Sequence, residues 1–258
     1  MNTFDRRNYI MDLVNTKGSV LVSEISSEMG VSEVTIRADL RLLEERGLLT
    51  RFHGGAAKRK DAGFEAAGNK ELNLSDRYNV AADPKRRIVA AAANLVREGD
   101  TIILDSGSTT KLLAEELLGR TNITVITNNL AAAYVLSENK DITLVVCGGT
   151  LRHKTVSLHG ALAEYALRDV TANIMFIGAD GLDGQNGITT FNEGYAISSV
   201  MASAANQVVV VTDSSKFSRK GFNSVLPIDQ IDMIITDSDA PDAQLEIFRK
   251  NGMKLLLV

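Results

Sequence analysis

The 258 residues are 45% hydrophobic and 23% charged, with a net charge of −4 and one cysteine, Cys147. This suits a globular protein with a large core or two domains, and it excludes a disulfide framework and any apolar run near the ~20 residues that span a bilayer. "MNTFDRRNYI" has no apolar stretch behind its charges, so no secretory signal is read there and a reducing cytoplasm is the expected compartment. Residues 1–60 carry ten Lys or Arg against eight Asp or Glu. That excess is too small to hold nucleic acid by bulk charge, so pattern has to carry any such reading.

The first expected element is a helix over about residues 5–16, with Ile10, Leu13 and Val14 inward. "VSEISSEMGVSEVTIRADLRLLEERG" (22–47) then predicts a helix, a tight turn and a second helix. Ser23 is the first N-cap, Ile25 and Met29 share a face, and Gly30 stands where a C-cap needs positive φ. Ser32 caps the next helix, whose Ile36, Leu40 and Leu43 form a buried stripe. Its other face gathers Thr35, Arg37, Ala38 and Arg41. In a helix-turn-helix the early residues of the second helix reach base edges: Arg pairs guanine bidentately, and small side chains meet the thymine methyl. "LLTRFHGGAA" (48–57) predicts a short strand and a Gly54-Gly55 turn, a wing that brings Arg51 and His53 to phosphates. A small helical cap with solvated arginines fits the same pattern.

Residues 58–75 are polar, rich in Gly, Ala and charge, and read as a linker between a domain at 1–57 and another at 76–258. In the latter, apolar strand candidates lie at 101–105, 123–127, 142–146, 173–179, 208–212, 233–237 and 255–258. Helical candidates alternate with them at 85–97, 110–118, 129–138, 160–168, 193–206 and 242–251. Near-continuous β-branched runs separated by helices predict an α/β, Rossmann-like parallel sheet covered on both faces. After the first strand, "DSGSTT" (105–110) has the make-up of a phosphate cradle: a glycine for close approach, then a helix N-terminus. Taken alone, such a loop is usually just a turn.

"VSEVTIRADLRLLEERGLLTRFHGGAA" (31–57) closely resembles the signature of the DeoR family of bacterial sugar-metabolism repressors. The resemblance implies a winged helix-turn-helix that binds operator double-stranded DNA, with Ser32, Thr35, Arg37, Ala38, Arg41, Arg51 and His53 as candidate contacts. It also implies a sensor domain similar in fold to ribose-5-phosphate isomerase, so the loops at the carboxyl ends of the strands become candidate ligand contacts. These are Asp105, Ser106, Gly107, Ser108, Thr109 and Thr110; Thr127, Asn128 and Asn129; Gly148, Gly149 and Arg152; and Asp180, Glu193 and Lys216. Asp180 and Asp183 also suit turn formers, Lys216 and Arg219 a solvated basic face, and Glu193 a helix N-terminal charge.

Cys147 reads as a buried small side chain, His153 and His159 lack metal-ligand spacing, and "GADGLDG" lacks the nicotinamide fingerprint, so no metal or cofactor is expected. The isomerase's lysine and triple glycine after "GAD" are absent from "TTFNEGYA" (189–196), which favours a sensor over an enzyme. An isomerase with a DNA-binding appendage is the alternative. The resemblance implies a cytoplasmic homo-oligomer, dimer or tetramer, that represses a sugar or sugar-alcohol operon. The pathway it points to is galactitol, with a likeness also to members serving N-acetylgalactosamine, and the implied effector is galactitol 1-phosphate or a tagatose phosphate.

Overall fold

The computed structural model describes residues 3–45, 48–52, 54–57, 74–78, 80–191, 197–217, 219–221 and 223–258. The chain forms two compact units, one built on residues 1–70 and the other on 71–190 and 195–258.

In the first unit α1 (Thr3–Lys17) is followed by β1 (Ser19–Leu21), α2 (Val22–Met29), α3 (Glu33–Glu45), β2 (Thr50–Phe52) and β3 (Gly55–Ala57). Ile10 and Val14 of α1, Ile25 of α2, and Ile36, Leu40 and Leu43 of α3 form its core, while Leu13 is half-buried. Gly30 closes α2 at φ 62° and its N–H donates to Ser26 O, an αL cap. Ser32 caps α3, its Oγ accepting the Thr35 N–H at 3.3 Å. Ser23 does not cap α2: the helix begins at Val22, with Leu21 in extended backbone at the cap position and no side-chain bond there. The unit also holds a strand that periodicity does not announce. β1 pairs antiparallel with β3, and β3 with β2, so the wing is a three-stranded sheet.

The second unit runs α4 (Leu74–Arg77), α5 (Ala82–Ala93), β4 (Thr101–Leu104), α6 (Ser108–Glu116), β5 (Ile123–Thr127), α7 (Leu130–Leu136), β6 (Ile142–Val146), β7 (Thr150–Arg152), β8 (Ser157–His159), α8 (Ala161–Tyr165), β9 (Ile174–Ile177), β10 (Gly181–Asp183), β11 (Gly187–Thr190), α9 (Ile197–Ser203), β12 (Val208–Val211), β13 (Asn223–Leu226), β14 (Met233–Thr236), α10 (Asp242–Lys250) and β15 (Lys254–Leu257). The seven expected apolar strands are the seven strands of one parallel sheet, ordered β15-β14-β12-β9-β4-β5-β6.

Alternate residues of each strand feed two separate cores. Ile102, Leu104, Val125, Phe176, Val209 and Val211 pack against α5, α6 and α7. Ile103, Ile126, Met175, Ile177, Val210 and Ile234 pack against α8, α9 and α10. Burial on both faces is why these strands carry no polar alternation. The strand order reverses between β4 and β9, and such a switch point opens a crevice beyond the carboxyl ends of its two strands. The smaller strands β7 and β8 form a hairpin, and β10, β11 and β13 a separate antiparallel sheet. The expected loop at 147–152 is therefore half strand, because a three-residue strand of Thr, Leu and Arg has no period to detect.

Candidate functional site

On the first unit, Ser32, Arg37, Ala38 and Arg41 are exposed on the face of α3 opposite its buried stripe, and Thr35 is half-buried. Arg37 pairs with Glu33 one turn back at 2.8 Å. Both groups are solvated, so the pair is weak and free to exchange for another acceptor. Val34, which sequence reasoning passed over, is 76% exposed on the same helix and offers an apolar contact of the kind a thymine methyl takes. Arg51 is on β2, but its Nε holds Glu44 at 2.6 Å and its N–H holds the same carboxylate at 2.8 Å. The pairing fixes the wing strand to α3. His53 lies outside the described residues.

The second unit places two carboxylates at the switch point. Asp105 follows β4, and its N–H donates to Phe176 O of β9 at 3.1 Å. Asp180 follows β9. Asp105 is buried; its carboxylate accepts the Ser106 N–H at 2.7 Å and the Ser198 hydroxyl at 2.8 Å. Burial outweighs those bonds and, with the Asp180 charge adding to it, pushes the Asp105 pKa up to about 6. For Asp180, burial raises the carboxyl, but it is overcome by the Arg77 guanidinium 3.1 Å away, the Thr190 hydroxyl at 2.7 Å and the charges of Lys216 and Arg219. Asp180 thus stays below the ordinary carboxylate range. Asp183 has the turn-forming role: its Oδ1 accepts the N–H groups of Gln185 and Asn186.

Asp180 is also coupled to the cations Lys216 and Arg219, both held below their ordinary pKa, chiefly by burial. Lys216 is depressed by burial, with Arg219 and Arg77 adding to the effect against Asp213 and Asp180. Among the described residues no carboxylate lies within ion-pair distance of its ammonium. Asp213 and Asp237 hold its turn in place, accepting the N–H groups of Ser215 (3.2 Å) and Ser214 (2.7 Å). Lys85 of α5 is buried, donates to the carbonyls of Arg77 and Val80, and is pulled down to about 8, chiefly by burial.

After Asp105, Gly107 adopts φ 140°, a backbone other residues rarely take, and α6 begins at Ser108 with no side-chain cap. Its first N–H groups therefore have no partner within the helix. Ser108, Thr109 and Thr110 are buried. Asn128 is fully buried; its Nδ2 donates to Leu158 O at 3.1 Å, while its Oδ1 has no partner among the described residues.

Several expected contact residues are committed elsewhere. Thr127 donates to Leu104 O and accepts from Asn129 N. Asn129 caps α7 through Oδ1 and ties down the cradle loop through Nδ2, which donates to Gly107 O at 3.0 Å. Gly149 is a glycine for packing: a Cβ there would sit 2.3 Å from His159 O. Arg152 donates to Thr155 Oγ1, which continues through Ser157 to His159 along the β7–β8 hairpin. Gly148 has open space around it, and Glu193 lies outside the described residues. Burial lifts the Cys147 thiol to about 11, so it stays protonated at neutral pH.

Sequence reasoning missed Arg77, Lys85 and Ser198, and read Arg219 only as a solvated base. Lys85 had a signal, since it stands three and four residues before the buried Ile88 and Val89.

Residues 6–61 match the DeoR-like helix-turn-helix domain and residues 80–238 the DeoR C terminal sensor domain. A candidate aga operon transcriptional repressor of Escherichia coli O157:H7 is 35% identical over 257 residues, spanning 99% of this chain and 94% of that protein. The regulator GolR of Listeria innocua is 33% identical across 98% of both chains. The lactose phosphotransferase system repressor of Streptococcus mutans is 34% identical across 94% of this chain and 95% of its own. Among solved structures, ribose 5-phosphate isomerase A of Methanocaldococcus jannaschii is 23% identical, with a TM-score of 0.41 over 54% of this chain and 55% of that one. The matched relatives are named as regulators, and the protein is a regulator of transcription, not an isomerase. Among the described residues no helix is long and apolar enough to cross a membrane. The chain belongs to the DeoR family of DNA-binding transcriptional regulators.

Proposed function

We propose that the protein represses a sugar or sugar-alcohol operon, galactitol utilisation in the first instance, and is released from its operator by a phosphorylated sugar or hexitol. The observation that carries this reading is the cluster at the switch point: an uncapped α6 N-terminus, and Lys216 with no ion pair among the described residues. Both call for an anion. The ligand's phosphate docks on residues 106–110 with Lys216 as counter-charge, and its hydroxyls are met by Asn128 Oδ1, Asp105, Asp180 and Glu193.

The domains are the DNA-binding domain 1–57, the linker 58–75 and the sensor 76–258. Arg77 stands just after the linker. An anion that draws its guanidinium from Asp180 acts on the chain leading to residues 1–57, and it shifts DNA affinity by as much as it prefers one state over the other. The protein works in the cytoplasm as a dimer or tetramer, because operators are read by paired recognition helices.

The test is anisotropy of labelled DNA from the protein's own promoter region, at fixed salt, titrated with galactitol 1-phosphate, tagatose phosphates and inorganic phosphate. Release by a phosphosugar and not by phosphate is expected. In Lys216→Ala the concentration required should rise roughly 10- to 100-fold, the loss of one charge-assisted contact, with DNA affinity unchanged. Tight DNA binding indifferent to every compound overturns the reading. On the DNA side, Arg37→Ala should cost roughly 1–3 kcal/mol on the operator and relax base preference. Equal weakening on random DNA would make Arg37 a phosphate contact instead.

A further inference from the structure

α4, Tyr78, Val80 and Ala81 form the stretch that follows the linker and leads into α5, and what holds this stretch lies outside it. α4 is a single turn, too short to persist on its own bonds. Leu74 is buried, and its N–H donates at 3.0 Å to Lys154 O in the turn between β7 and β8. Arg77 reaches Asp180 at 3.1 Å, and Lys111 Nζ stands 5.0 Å from the centre of the Tyr78 ring. Asp180 follows β9, and Lys111 is in the first turn of α6, which follows β4. The stretch thus ties together both sides of the switch point.

Two features of the same stretch oppose that hold. Ala81 has φ 52° and ψ 45°, the left-handed region, which crowds its Cβ and which only surrounding contacts impose on an alanine. Lys85 of α5 is 2% exposed, and its ammonium donates to Arg77 O at 2.7 Å and to Val80 O at 2.6 Å. Both carbonyls belong to the stretch, so keeping it in place keeps the ammonium from water. The Asp213 charge and these bonds do not replace the lost water, since burial still brings the Lys85 pKa down to about 8. Strained backbone and a poorly compensated buried charge favour letting go, while the Leu74, Arg77 and Tyr78 contacts favour holding. Opposed terms within one short segment make an element with two states.

We propose that this stretch is a strap held under tension, latched on Asp180 and Lys154 O in the repressing state and let go, with Ala81 relaxing, when effector takes the contacts at the switch point. The strap rests on the reading above of an effector-released repressor. It is the element that turns binding at the crevice into a change in the chain leading to residues 1–57.

Hydrogen exchange of the Leu74 amide in the full chain reads the opening of the strap, because that proton is the one bonded to Lys154 O. Ala81→Gly, which holds the same backbone without strain, should slow it about fivefold. Arg77→Met, which loses the latch, should quicken it about tenfold or more. Ala81→Val, strained further by its branched side chain, gives the same sign should Arg77→Met fail to fold. In the wild type, saturating promoter DNA should slow Leu74 exchange and galactitol 1-phosphate should quicken it, because coupling between two sites is reciprocal. Unchanged exchange in Ala81→Gly overturns the tension. Exchange indifferent to DNA, or to a phosphosugar that does release the promoter, overturns the strap as the coupling element and leaves the effector-released repressor standing. Exchange that responds to DNA, while no phosphosugar moves either exchange or operator binding, upholds the strap and overturns the effector reading instead.

Discussion

Asp39→Ala is expected to destabilise the first unit by about 3–5 kcal/mol, the cost of removing one partner from a buried ion pair. Asp39 lies on α3 between Ile36 and Leu40 of the buried stripe, and its side chain is 2% exposed. It receives Arg6 Nε at 2.5 Å and Arg7 Nε at 2.7 Å, both from α1. Arg6 is itself buried, so truncating Asp39 strands a guanidinium away from water with no counter-charge. A unit of this size has only a few kcal/mol in reserve. In thermal unfolding of the full chain, the first unit's transition should drop far below that of the second or vanish, and operator binding should be lost with it. A first transition within about 1 kcal/mol of wild type would show that α1 and α3 hold together without the pair. The same contact explains why Arg6 and Arg7 are structural despite their place in a DNA-binding domain.

Asp39 also marks where sequence reading stops. The stripe Ile36, Leu40, Leu43 was readable because helix periodicity is local, and the sheet was readable because its central strands are buried on both faces and each of the seven shows an apolar run of its own. Strands β1, β7, β8, β10, β11 and β13 span only three or four residues and lie in small sheets outside the doubly covered one, so they left no such trace. The site divided in the same way. Loops 105–110, 178–180 and 213–216 were found because they follow recognisable strands. Arg77, Arg219 and Ser198 come from elements whose position only the topology fixes. Thr127, Asn129, Gly149 and Arg152 had the right chemistry in the right loops, but whether a polar group faces a ligand or its own backbone depends on hydrogen bonds that no spacing rule predicts.

Asp105→Asn should stabilise the second unit, by up to about 3 kcal/mol near neutral pH, because the native carboxyl is held at about 6 against an ordinary 3.8. Folding therefore favours the protonated acid. The stability Asp105 lends is complete below about pH 4 and is lost as pH rises through about 6, where the buried group must ionise. Asparagine keeps both contacts: its Oδ1 accepts the Ser106 N–H, and its amide donates to Ser198 Oγ in place of the present bond. Urea unfolding of wild type and variant should thus coincide near pH 4, separate through pH 6 and run parallel above about pH 7. A gap that does not change with pH would mean that ionisation of Asp105 is not what destabilises the wild type. The same variant should respond less to phosphosugar, because under the proposed function the Asp105 carboxylate accepts from a ligand hydroxyl. An ionised, buried carboxylate lowers the stability of the empty protein, and a residue whose removal raises stability while weakening the response is one retained for binding.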